Sequence, residues 1–143
     1  MSSQIPALLD EIENRLKTIA GAVNVYRALQ GRAYPNDGSL PAIAVRIATD
    51  TLESAQSGKA RVHVALDIEW MMTADNAFSD AALAGRIWDI RHALGVDENP
   101  PLNGLLRAGT GIEWGPAVYG YPDPGSLLAI ARQPITLHLI ETY

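Results

Sequence analysis

The chain has 143 residues, 48% hydrophobic and 19% charged, which suits one globular domain spanning 1–143 with a substantial core. A formal net charge of −5, from 11 Lys+Arg against 16 Asp+Glu, argues against a conventional nucleic-acid binder, which needs a basic stripe. The absence of cysteine removes disulfides, thiolate zinc sites and thiol chemistry. No apolar run nears the roughly 18 residues of a membrane span. The start MSSQIPALLDEIENRL lacks a basic n-region and an unbroken apolar stretch, so synthesis in the cytoplasm is expected.

In chain order, Ile5, Leu8, Leu9, Ile12, Leu16 and Ile19 recur at helical spacing among polar residues. They predict an amphipathic helix entered near Pro6 and stopped by Gly21. AVNVYRALQ reads as a strand, and GRAYPNDGSLP as a loop. Ile43, Val45 and Ile47 predict a second strand. The polar segment Thr49–Lys59 then reads as a long hairpin loop leading to the clearest strand, in which Val62, Val64, Leu66, Ile68 and Trp70 alternate with Arg61, His63, Ala65, Asp67 and Glu69. Period two with one apolar face points to an antiparallel sheet.

A second helix follows, capped by Ser79 or Asp75, with Leu83, Ile87, Ile90 and Leu94 as its apolar stripe and Gly95 as its stop. Trp70 and Trp88 are expected in the core. A turn-rich stretch carries a short strand around Ile112 to Tyr119, and SLLAIARQPITLHLIETY closes the chain as a long strand. Pro134 cannot donate to a ladder, so it predicts an edge position or a bulge, with the buried phase shifting there. The fold class expected is α+β: a mostly antiparallel sheet with two helices packed on one face.

The chemistry-bearing residues do not assemble into a motif. His63, His92 and His138 show no metal-ligand spacing. Asp67 and Glu69 share a strand face with Arg61 and His63, which reads as a solvated or interfacial sheet surface rather than an acid–base pair. GTGIEWG lacks the spacing of a phosphate loop. No catalytic, cofactor-binding or metal residue is therefore predicted. Trp114, Tyr119 and Tyr121 lie in the stiff segment EWGPAVYGYPDPG, where exposed aromatics serve as interface anchors. Tyr119 and Tyr121 are the better candidates, because Trp114 could equally cover the core.

Taken together, IPALLDEIENRLKTI, LPAIAVRI, VHVALDIEW, AALAGRIWDIRHAL, the turn LNGL and the closing ITLHLIETY come in an order that resembles the tail terminator (tail completion, minor tail) proteins of long-tailed bacteriophages. The resemblance covers nearly the whole chain and is one of order, length and pattern. It implies an α+β structural protein of the virion without catalytic residues. Such a protein forms a homo-hexameric ring at the head-proximal end of the tail tube, stops tube polymerisation and offers a surface to the head–tail connector, while DNA passes through unbound. Within that frame Leu52 and Glu53, in the 49–59 segment, become candidates for contact with a neighbour. A head–tail connector, a small cytoplasmic enzyme or ligand-binding α+β domain, and a peptide adaptor using a sheet edge are the alternatives.

Overall fold

The computed structural model describes residues 3–19, 24–27, 41–74, 79–98, 102, 106, 111–122 and 127–142. Its elements are α1 (Ile5–Leu16), β1 (Asn24–Arg27), β2 (Ala42–Gln56), β3 (Lys59–Thr73), α2 (Asp80–Ala93), β4 (Ile112–Trp114), β5 (Val118–Gly120) and β6 (Leu128–Thr142). The six strands form one sheet in the order β1-β2-β3-β6-β4, with β5 also on β6. β1 runs parallel to β2 and every other pair is antiparallel. The molecule is thus α+β as expected. Both helices pack on one sheet face: Leu8, Ile12 and Leu16 of α1 and Leu83, Ile87 and Ile90 of α2 join Ile43, Val45, Val62, Val64, Leu66, Ile68, Trp70, Ile135, Leu137 and Leu139 in one core. The predicted stop at Gly21 and the alternative cap Asp75 lie outside the described residues.

The start of α1 has no side-chain cap of its own. Glu141, from the far end of β6 and almost fully buried, takes that part: it accepts from Ser3 Oγ at 2.6 Å and from the Gln4 backbone N–H at 3.1 Å. A carboxylate against the first N–H groups of a helix satisfies donors the helix cannot pair and complements its dipole. At the other end, Arg15 bonds Glu11, Glu98 and the Ala93 carbonyl, tying α1 to the exit of α2. The Glu98 hydrogen bond raises the Arg15 pKa above the usual guanidinium value, outweighing desolvation.

The Thr49–Lys59 loop is corrected to strand. β2 continues to Gln56 and β3 begins at Lys59, so the turn is only Ser57–Gly58, both with positive φ (54° and 77°). Two left-handed central residues match the twist of a two-residue hairpin. The outer half of β2 is polar because it is exposed from Ile47 onward, and an edge strand needs no apolar alternation. The register skips at Ala48 and again at Glu53. Bulges and charges of this kind blunt a free edge.

The prediction for Pro134 is corrected too. β6 is an interior strand, and its burial alternates without a break from Leu128 to Thr142. Odd residues face the helices; Leu128, Ile130 and Arg132 face the other way, so no phase shift occurs. What breaks is the neighbour: the single strand expected around Ile112–Tyr119 is two, β4 and β5, separated by Gly115–Ala117. The Pro134 carbonyl accepts from Gly115 N–H at 3.0 Å, and a strand residue's N and O point to the same side. The missing donor therefore faces the gap between β4 and β5.

Gln133, fully buried, fills that gap from the core side. Its amide donates to the Gly115 and Pro134 carbonyls at 2.8 and 2.7 Å and accepts from Arg91 Nε of α2 at 2.8 Å.

α2 begins at Ser79, whose hydroxyl accepts from the Ala82 N–H, and ends in Gly95 at φ +86°. There Val96 N–H reaches the Arg91 carbonyl and Gly95 N–H the His92 carbonyl, the paired bonds of a Schellman stop. Trp70 is buried as expected, under the guanidinium of Arg86 at 4.8 Å. Trp88 is not. It is 62% exposed, because it sits about 100° around the helix from Ile87 and faces away from the sheet.

Candidate functional site

Among the described residues, the outer half of β2 is exposed from Ile47 to Gln56. β1 pairs only with Ala42–Val45, so from Arg46 to Gln56 no described strand lies on that side. Ile47 and Leu52 pair with Leu66 and Val62 of β3 and so share the helix-bearing face, yet they are 50% and 60% exposed. Asp50, the partner of Val64, shares that face. The sequence candidates Leu52 and Glu53 thus fall on a strand edge, not on a loop.

Glu53, at the second bulge, opens a row of charge across the opposite face. Its carboxylate lies 2.8 Å from His63 Nε2, the His63 and His138 rings meet edge to face at 4.4 Å, and His138 Nε2 lies 3.2 Å from Glu113. The row spans β2, β3, β6 and β4 because His63 and His138 are cross-strand partners. Each imidazole spends one nitrogen on its own carboxylate. No group of three His, Asp or Glu among the described residues is arranged to hold a metal ion.

Further along this face, Glu69 is buried and lies 3.5 Å from Arg46, with Arg132 opposite it on β6. The solvated surface expected for Asp67 and Glu69 is corrected in part. Asp67 is half-buried and Glu69 is closed off, beside a small second core of Ala42, Ala44 and Met71 with Tyr26, Leu128 and Ile130.

Tyr119 and Tyr121, the interface candidates, stand together against a partner the sequence did not suggest. With Asp80, Ala81 and Ala84 of α2 they line a groove of about 350 Å³. Tyr119 also packs on the core, as does Trp114, while Tyr121 is 57% exposed. Trp88 stands one turn further along α2 and stacks on His92 at 6.1 Å. Sequence reasoning missed Trp88 as a surface residue; its offset from the Leu83–Ile87–Ile90 stripe was the available signal. Gln133 and Glu141 carried none, since their partners are distant in the chain.

Comparison with protein-family models and with curated proteins found no match to this chain.

Proposed function

We propose that this chain acts by assembly rather than catalysis, as a tail terminator of a long-tailed phage. It would form a ring on the head-proximal end of the tail tube, end tube growth and present a surface to the head–tail connector. The order and pattern of its elements support this reading. So does the exposed β2 edge, the one observation on which it chiefly rests. A ring needs heterologous contacts, in which one patch of a protomer meets a different patch of the next. A long strand edge at one side of the sheet, with Ile47 and Leu52 on it, and the short strands β4 and β5 at the other side are two such different surfaces. The −5 charge suits a passage through which DNA slides without being held.

The test is negative-stain electron microscopy of the purified protein with assembled tail tubes. The reading expects a ring-shaped cap on one end of each tube and no further growth when tube protein is added. Tubes that stay bare and keep lengthening at a saturating concentration of the protein would overturn it.

A further inference from the structure

The outward stripe of α2 reads Ala81, Ala84, Gly85, Trp88, His92, all exposed at i, i+3, i+4, i+7 and i+11. Two features of it are not accounted for by burial inside the protomer. Trp88 puts most of a large apolar ring in water. Gly85 sits in the helix interior, where glycine costs stability relative to alanine, although a Cβ there would meet nothing within 4 Å. A residue that keeps the helix surface low without an internal neighbour suits a close approach from outside.

From these features we infer that a second copy of this chain docks on this stripe, α2 against α2 and antiparallel, each Trp88 entering the other's groove between Ala81, Ala84, Tyr119 and Tyr121. The helical rise places Trp88 roughly 10 Å from Ala81. A two-fold axis between Ala84 and Gly85 therefore sets each Trp88 opposite the other copy's Ala81. The groove of about 350 Å³ is large enough for an indole, and the small residues let the backbones approach.

Charge favours the same direction. The first turn of α2 carries an acidic residue, Asp80, and Arg91 and His92 are in its last. Asp80 and Arg91 are 11 residues apart, three turns, so they lie on one flank. The two-fold brings the Asp80 of each copy to the Arg91 end of the other. Asp89, on the opposite flank and held by Arg86 at 3.2 Å, faces no carboxylate across the axis.

This contact is isologous and pairs copies, whereas a ring needs heterologous contacts. It does not rest on the tail-terminator reading, and its test uses no tail tube. Each copy would bury on the order of 500 Å², at the low end for a specific interface, so a dissociation constant in the micromolar range is expected.

Sedimentation velocity from about 1 to about 300 μM reads this directly. The wild-type chain is expected to shift from monomer to dimer. Trp88→Ala, which removes the projection, and Ala81→Trp, which fills the groove where the incoming Trp88 would sit, are each expected to weaken dimerisation at least about 30-fold, the loss carried by a hot-spot tryptophan. Both positions are exposed, and circular dichroism checks that each variant is folded. Mixing the two variants supplies one intact projection and one intact groove, so heterodimers are expected where neither variant pairs alone. A wild-type chain that stays monomeric throughout, a dimer unaffected by Trp88→Ala, or a mixture that fails to associate would overturn the inference.

Discussion

Gln133 shows how one side chain lets an interior strand carry a proline. The ladder loses a donor at Pro134, its neighbour splits into β4 and β5, and the Gln133 amide occupies the break while holding Arg91 of α2. Replacing it by leucine keeps the volume but leaves the Gly115 carbonyl and Arg91 Nε unpaired. Buried groups stranded in this way cost about 1–3 kcal/mol each. Allowing for the apolar gain of leucine, Gln133→Leu should lower stability by about 2 kcal/mol, read as a fall in urea midpoint at unchanged slope. Glu141 is a parallel case at the sheet's other end. Glu141→Ala removes charge-assisted bonds to Ser3 and Gln4 and should cost about 2 kcal/mol, whereas Glu141→Gln, which keeps an acceptor, should cost clearly less. Equal losses for the two Glu141 variants would mean that packing, not the cap, is what Glu141 supplies.

At the level of elements, the sequence disclosed whatever had a period and hid whatever depended on a distant partner. β3 and α2 were legible because one face of each is buried along its length. The helices' shared face and the α+β class followed from that. The outer half of β2 was misread because an exposed edge has no apolar alternation, and its Asp, Glu and Ser residues look like those of a loop. The sign that it was strand lay in Ser57–Gly58, a dipeptide suited to a two-residue turn. That turn can be tested on its own. Gly58 has φ 77°, so Gly58→Val should destabilise by about 1–2 kcal/mol, as a β-branched residue does in the left-handed region. Ser57 is at φ 54°, and Ser57→Asn should stabilise by a few tenths of a kcal/mol, since asparagine favours this turn position. If the segment were an open loop, both substitutions would be silent in thermal melts. For the candidate surfaces, Tyr119 and Tyr121 were legible as stiff aromatics, while the groove they share with Ala81 and Ala84 was not, because its other wall is some 40 residues away in the chain.

For the whole molecule, the two proposed contacts use different surfaces and obey different symmetries, which makes them separable. Leu52 lies on the β2 edge and Trp88 on the outward side of α2, and each is about 60% exposed, so neither supports the core. An aspartate at Leu52 sets a charge where a neighbouring protomer's apolar surface is proposed to lie, next to Asp50 and Glu53 on the same strand. Burying it there would carry an unpaired charge, which costs far more than the lost leucine contact. Leu52→Asp should therefore abolish capping of tail tubes while leaving the α2-mediated dimer at its wild-type dissociation constant. Trp88→Ala should do the reverse, lowering dimerisation without preventing the cap. The readouts are tube length with a saturating amount of each variant and sedimentation velocity of each variant alone. Loss of both behaviours in either variant would mean that the surfaces are coupled, with the α2 pair as the unit from which the ring is built. Loss of neither on Leu52→Asp would remove the β2 edge from the assembly and leave β4 and β5 as the side to mutate next.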